Sequence, residues 1–336
     1  MTLLHDSAPG PRLARTIVSP RAALRLAIGV AISIGSVWLL LLAVDERASV
    51  DILRSANRAL VGLAVTCLFV SVAAKIARWR ALLPPRGASF GTLYGILHIS
   101  MLINNVLPLR LGDAVRAAMT ARGQGIRLTH VVSSMVAERV LDGATLIVCF
   151  LLVTPFLPYS PFRLDVTRVL LPAVAIAGTA ALLVAGAFVL RRRAEGLWSR
   201  WSPALLALAD SWRRVLSAEG WTIWAWSAVA WATAFAINFV LFRALDIHVS
   251  PAVAIILGCS TNLAMLVPSS PAQIGVYHAA ATLTLVAFGV DRSVAVSFSV
   301  LSHLVNVVPV SLIGAGFLVA ELMVRRPRRQ LAEASD

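Results

Sequence analysis

Charged residues are scarce in this chain, and their scarcity excludes an ordinary soluble globular protein. Only 14% of the 336 residues are Asp, Glu, Lys or Arg, against roughly 25% in soluble domains. Hydrophobic residues make up 59%, and the mean hydropathy is +0.83. We therefore predict an all-α integral membrane protein. The net charge of +14 does not indicate nucleic-acid binding, because membrane proteins collect Arg in cytoplasmic loops.

Cysteine is rare, and the common catalytic signatures are absent. The three Cys residues all fall inside apolar runs, so they indicate neither a disulfide framework nor a cysteine metal site: Cys67, Cys149 and Cys259. No His-Glu-x-x-His, Gly-x-Ser-x-Gly or P-loop pattern occurs. We expect no enzymatic activity, no cofactor and no metal.

Long apolar runs are what the sequence has instead. Six approach the ~20 residues that a bilayer span needs, and we predict six full spans at 24–44, 59–77, 129–153, 169–190, 221–241 and 293–320. The first run follows several Arg residues, as a signal peptide does. Its apolar core is longer than the usual ~7–15 residues, and no clear cleavage site follows, so we expect an uncleaved anchor.

Two further apolar regions, 91–122 and 251–289, are broken by Pro and Gly. Their breaks read "PLRLG" from Pro108 and "PAQIG" from Pro271, which share Pro-x-x-x-Gly. Each break interrupts a helix, because Pro stops it and Gly permits a turn. We predict two re-entrant or broken helical hairpins.

The two halves of the chain match each other in order. The segment "ERVLD" at 138–142 aligns with "SHLVN" at 302–306, an offset of 164 residues, and the two Pro-x-x-x-Gly breaks are 163 residues apart. Each half holds three full spans, so the second half enters the membrane from the opposite face. We predict an inverted structural repeat, in which transporters place their binding site between the repeats.

Lys and Arg are distributed unevenly between the two predicted sides. The segments on the N-terminal side hold 22 of the 30, the opposite side holds 7, and Arg139 lies within a span. This bias favours a membrane protein with both termini in the cytoplasm. We divide the chain into an N-terminal tail 1–23, a membrane domain 24–322 with repeats at about 24–157 and 166–322, and a basic tail 323–336.

The first hairpin predicts a site for an anion. Non-helical backbone at membrane depth is tolerated only inside protein or beside a wet cavity. Asn104 and Asn105 would satisfy freed backbone groups, and the helix after the break would direct its N-terminal N–H groups, with Arg110 and Arg116, toward a lipid phosphate. The alternative is a cytoplasmic loop in which Asp113 only caps a helix.

The third predicted span carries three charged residues, Glu138, Arg139 and Asp142. Because a charge near the centre of a membrane helix is costly, they should face protein or water, and we predict that all three point into the protein interior. Glu138 and Asp142 share one helix face, and Arg139 can reach Asp142. These residues would line a transport path or form a closed ion pair that locks helices together.

Polar residues of the second half complete the predicted site. They are Asn262, Gln273, His278, His303 and Asn306, of which the last two occupy the positions that correspond to Arg139 and Asp142 of the third span. A lone His in a membrane helix is also typical of a hydrogen-bonded packing residue.

The motifs resemble one known family. "NNVLPLRLGDAVRAAMTARGQGI", "SSMVAERVLDG", "NLAMLVPSSPAQIGVYHAAATLTLVAFGV" and "SHLVNVVPVSLIGAG" resemble the membrane domain of the lysylphosphatidylglycerol synthase and flippase family, over approximately residues 20 to 322. The resemblance implies a polytopic inner-membrane protein associated with moving lipids between leaflets.

Two features depart from the family. The second break usually reads Pro-Gly-Gly-x-Gly followed by Glu, but Gln273 replaces a Gly and His278 stands at the Glu position. The soluble aminoacyl-transferase domain is also missing, so we do not expect lysyl transfer.

Three functions remain open on the sequence. The first is a flippase-like lipid translocase, in which Arg110 and Arg116 bind an anionic headgroup while Glu138 and Asp142 hold these Arg residues when the site is empty. The second is a non-transporting scaffold or accessory subunit of a glycosyltransferase or lipid-synthesis enzyme. The third and least favoured is an intramembrane enzyme.

Overall fold

A computed structural model describes most of the chain. The described residues are 46–84, 88–107, 111–157, 202–265 and 271–333. The predicted spans 24–44 and 169–190, the N-terminal tail and Arg110 lie outside them. Within the described ranges the protein is all-helical and contains no strand, as predicted.

The helices are α1 (Glu46–Ser55), α2 (Arg58–Leu82), α3 (Phe90–Val106), α4 (Leu111–Gln124), α5 (Leu128–Val153), α6 (Ser202–Leu216), α7 (Trp221–Ala244), α8 (Pro251–Ala264), α9 (Ile274–Ala287) and α10 (Arg292–Glu333). Single 3₁₀ turns occupy Thr154–Phe156, Ala218–Gly220 and Pro271–Gln273. Three of the described helical segments are long and apolar enough to cross a membrane, namely α2, α7 and Arg292–Met323 of α10. Helix α5 has 26 residues but carries three charged side chains in its interior.

Both predicted hairpins are broken helices. Helix α3 ends at Val106 and α4 begins at Leu111, while α8 ends at Ala264 and α9 begins at Ile274. In the second break, Ala272 and Gln273 adopt left-handed backbone conformations, with φ of 53° and 57°. Glycine adopts this conformation without steric cost. The Gln273 side chain donates a hydrogen bond to the Met265 carbonyl at 3.2 Å, which links the two sides of this break.

The centre of the fold is the packing of α2 along α7. Both helices are predominantly apolar and expose large apolar side chains such as Leu63 and Trp224, as expected for membrane spans. Helix α10 packs against α3, α9 and α1, and α8 packs against α9, α7 and α5. The core between them includes Trp79, Leu241 and Leu285, together with Phe242 and Phe298, whose ring centroids are 5.0 Å apart.

Helices α3 and α4 approach each other closely at Gly112. A Cβ atom at this position would collide with the carbonyl oxygen of Ser100 and lie 2.6 Å from Oδ1 of Asn104. The Gly112 N–H donates a hydrogen bond of 2.8 Å to that Asn104 oxygen. The close approach of the two helices therefore requires a glycine at this position. Gly112 lies in the first helical turn of α4, not in the segment that connects α3 to α4.

We predict that Gly112→Ala destabilises the protein. The added methyl group must push α4 away from α3, and such overpacking typically costs about 1–3 kcal/mol. The measurement is the midpoint of thermal unfolding in detergent. Gly123→Ala on the same helix is the control, because no atom lies within 4 Å of its Cβ position. It should be neutral or stabilising by up to about 1 kcal/mol. Equal midpoints for the two variants would contradict the close approach.

Candidate functional site

A buried guanidinium from α2 lies between two carboxylates of α5. Arg78 is fully buried. Its Nη1 donates to Oδ1 of Asp142 at 2.7 Å, and its Nη2 donates to Oε1 of Glu138 at 3.4 Å. Glu138 and Asp142 meet the same cation because residues four apart share one face of a helix. Ser227 of α7 accepts a further hydrogen bond from Arg78 at 3.4 Å.

A second guanidinium reaches the same site from α4. Nη2 of Arg116 donates to Oε2 of Glu138 at 2.8 Å, so the two oxygens of this carboxylate bind different Arg residues. The Arg116 guanidinium also stacks 3.7 Å from the ring centroid of Trp79. The Trp79 indole N–H donates to Ser134 at 3.2 Å, which fixes the ring. Planar stacking and paired charge make this contact specific to Arg.

Lys75 adds a third positive charge. It lies one helical turn before Arg78 on α2, and its Nζ is 5.9 Å from the ring centroid of Trp231. The Trp231 indole N–H donates to Asp142 at 3.2 Å. We call Lys75, Arg78, Arg116, Glu138 and Asp142 the central ion network. Two of its basic residues, Arg78 and Arg116, form ion pairs with its two carboxylates, and Lys75 lies beside them on α2.

An ion pair at the edge of this network is more exposed. Nη2 of Arg139 lies 3.7 Å from Oδ2 of Asp113, and the Arg139 side chain is 55% exposed. Nδ2 of Asn104 donates to Asp113 at 3.4 Å. Two expectations about Arg139 are therefore wrong. It pairs with Asp113 rather than Asp142, and it does not point into the interior as Glu138 and Asp142 do.

The polar residues of the second half form a separate group on α9 and α10. The rings of His278 and His303 are 4.9 Å apart, and Nδ1 of His278 lies 3.0 Å from the Ser299 hydroxyl. The Tyr277 and Ser302 hydroxyls are 2.6 Å apart. No hydrogen bond or ion pair within the described ranges joins this group to the central ion network.

The predicted Asn residues have structural contacts. Asn262 and Asn306 donate to backbone carbonyls one turn earlier in their own helices, those of Gly258 and Ser302, both at 2.8 Å. Asn105 donates to Ser311 of α10 at 2.9 Å and so ties α3 to α10. The structure thus brings together Asp113, Arg116, Glu138, Arg139 and Asp142 of the predicted residues, and it leaves the other described ones apart from them. Arg110 lies outside the described residues.

Sequence reasoning missed Lys75 and Arg78. Both were counted among the Lys and Arg residues of the cytoplasmic side, because they stand at the end of the second predicted span, 59–77. The helix continues to Leu82, so Arg78 lies more than one turn inside it. Two carboxylates on one face of a membrane helix require a buried cation. Lys75 and Arg78 lie three residues apart on a neighbouring helix, and this pattern could have identified them as candidate partners.

Comparisons with known proteins agree with the family resemblance. The family model described as lysylphosphatidylglycerol synthase TM region matches residues 26–314. The chain is also similar to the glycosyltransferase AglD of Haloferax volcanii, with 32% identity over 133 residues. That match covers 38% of this chain and 21% of the relative, so the chain spans about a fifth of the relative's length. No solved structure matches the chain.

We predict that Arg78→Gln strongly destabilises the protein. The substitution leaves Asp142 without its closest cation in a buried site, and breaking a buried pair in this way costs about 3–5 kcal/mol. Arg213→Gln is the control, since the Arg213–Asp210 pair is exposed and 3.9 Å apart; it should change stability by less than about 1 kcal/mol. Thermal unfolding in detergent measures both. A small effect of Arg78→Gln would refute a structural role for the network.

Proposed function

The chain belongs to the lysylphosphatidylglycerol synthase TM-region family, whose members are membrane domains, and on that premise we propose that it moves lipid between the leaflets of the inner membrane. Its substrate would be a phospholipid or another lipid-linked molecule. The central ion network would be the place where the polar headgroup passes through the protein.

The central ion network is the observation that carries this proposal. Charged groups inside a membrane protein are costly and typically mark a substrate or ion pathway. Here Arg78 and Arg116 are buried and oppose Glu138 and Asp142. Paired charges keep the empty site stable, and the guanidinium donors of Arg116 would fit a phosphate that takes the place of the Glu138 carboxylate. The pairing of Arg116 with Glu138 is what is expected if a carboxylate holds the headgroup-binding Arg until lipid arrives.

The arrangement of the helices supports the proposed inverted repeat of six spans. Helix α3 of the first hairpin packs against α10, the last helix of the second half. Helix α8 of the second hairpin packs against α5, the last helix of the first half. Such an exchange is expected when two equivalent units face each other across a pseudo-two-fold axis. Alternating access would then arise from movement of one repeat against the other.

A second candidate is a non-transporting subunit of a glycosyltransferase or lipid-synthesis enzyme. The observation that favours it is the similarity of 38% of this chain to a protein named as a glycosyltransferase. In that case the central ion network would only lock α2, α4 and α5 together, as buried ion pairs between helices can.

We predict that Arg116→Gln slows lipid exchange between leaflets by at least about tenfold, which corresponds to ~1.4 kcal/mol of barrier. The neutral amide cannot offer the two charged donors that fit a phosphate. Purified protein is reconstituted in vesicles that contain fluorescent phospholipids, and the outer leaflet is bleached chemically to follow exchange. Arg116→Lys, which retains the charge without the planar stack, should keep part of the rate.

Arg122→Gln is the matched control for this experiment, because Arg122 is an exposed residue on the same helix. Its exchange rate should equal that of the unsubstituted protein. Stability is measured for every variant, so that a folding defect is separated from a transport defect. Exchange by Arg116→Gln at the unsubstituted rate would reject the proposed headgroup path. No exchange of any lipid by the unsubstituted protein would favour the scaffold function.

A further inference from the structure

The structure has an open groove between α4 and α5 that the central ion network does not fill. It has a volume of about 620 Å³, within the ~300–1,000 Å³ typical of small-molecule sites. Ala114 and Ala117 of α4 line it, together with two rows of α5 residues spaced four apart. One row runs from Val132 to Ala144 and the other from Met135 to Ile147. We call this the α4–α5 groove.

Arg139, one of its two charged residues, lies far from both ends of α5. Arg139 is the twelfth of 26 residues in this helix, so it lies ~17 Å from the first residue along the axis. Along the predicted span 129–153, such a distance is about half of the ~30 Å hydrocarbon core. Arg139 and Asp113 both line the groove, and the Arg139 side chain is more than half exposed there. An exposed guanidinium at this depth calls for a polar occupant of the groove.

The ion pair leaves most of its hydrogen-bonding capacity unused. The nearest atoms of Arg139 and Asp113 are 3.7 Å apart, too far for a hydrogen bond. Among the described residues, Asp113 accepts one weak hydrogen bond, that of 3.4 Å from Asn104. Arg139 therefore has donors available for a phosphate, and Asp113 has acceptors available for an ammonium group.

We propose that the α4–α5 groove binds a zwitterionic phospholipid with a primary amine, such as phosphatidylethanolamine. Its phosphate lies against Arg139 and its ammonium against Asp113, and an acyl chain follows the apolar rows of α5. This inference rests on the proposed lipid translocation, for which the groove is the entry site. It differs from the anionic headgroup expected from the sequence.

The charge of the pair determines the class of lipid. Arg139 and Asp113 together carry no net charge, so an anionic headgroup at Arg139 would bring its phosphate close to the Asp113 carboxylate without compensation. A zwitterion places opposite charges against both residues. Charge complementarity of this kind sets specificity more than affinity.

Gly143 offers a way to close the groove without disturbing the protein. It lies one turn after Arg139 in the same row of α5 and lines the groove. No atom lies within 4 Å of the position that its Cβ would occupy. A Leu side chain at this position enters the groove rather than the protein interior, and it also favours the helix. Gly62 of α2 is a matched control, since it is exposed and its Cβ position is equally open.

The experiment measures lipid binding to the purified full chain in detergent by native mass spectrometry. The probes are phosphatidylethanolamine and phosphatidylglycerol with identical acyl chains. We expect the unsubstituted protein to bind phosphatidylethanolamine about tenfold more tightly, the effect of one good charged contact. Asp113→Asn should remove this preference while leaving phosphatidylglycerol binding unchanged or stronger. Arg139→Gln should weaken the binding of both lipids, and Gly143→Leu should weaken both by about tenfold or more.

Specific results overturn the inference. Equal affinity of the unsubstituted protein for the two lipids would do so, as would Asp113→Asn weakening both equally, the result of a merely structural pair. Binding that is unchanged by Gly143→Leu, or lowered as much by Gly62→Leu, would exclude the α4–α5 groove. Leaflet exchange is measured on the same preparations. Exchange without a headgroup preference rejects this site but keeps the translocase, whereas preference without exchange keeps the site and rejects the translocase.

Discussion

The Arg78 guanidinium, buried between Glu138 and Asp142, is the interaction on which the rest of the site depends. It joins α2 to α5, and the second oxygen of Glu138 extends the connection to Arg116 of α4. None of these charges is tolerated alone away from water, because an isolated ion in a low-dielectric interior loses its hydration without compensation. Each partner therefore constrains the position of the others, and three helices are fixed relative to one another by one set of contacts.

Much of this site followed from the cost of charge in a membrane. Glu138 and Asp142 had to face inward, and the Pro and Gly residues near 108 and 271 had to break helices, because both conclusions depend on local chemistry. The partners could not be predicted in the same way. Arg78 stood at a compositional boundary between span and loop, and only the continuation of α2 to Leu82 places it inside the protein. Arg139 had two acids within reach, and the approach of α4 to α5 decides that Asp113 is the one it contacts.

The second break has a left-handed backbone that is formed by residues other than glycine. The family pattern has a glycine where this chain has Gln273, and Ala272 and Gln273 adopt a left-handed backbone here without being glycines. The cost is about 1–2 kcal/mol per residue, which the surrounding fold must offset. The hydrogen bond from Gln273 to Met265 is one contribution. A glycine could not make this bond. The glutamine therefore raises the conformational free energy of the backbone but adds a hydrogen bond across the break.

The close approach of α3 and α4 at Gly112 has a mechanical consequence. With no space between the backbones, and with Asn104 accepting a hydrogen bond from the Gly112 N–H and donating one to Asp113, the two helices cannot slide past each other. Asn105 of α3 is in turn hydrogen-bonded to Ser311 of α10. Any displacement of α4 that opens a path beside α5 must therefore move α3 as well. The movement of α3 would strain the contact between α3 and α10. The first hairpin would then move as a rigid unit. It would transmit a displacement at one face of the protein to α10, the longest described helix.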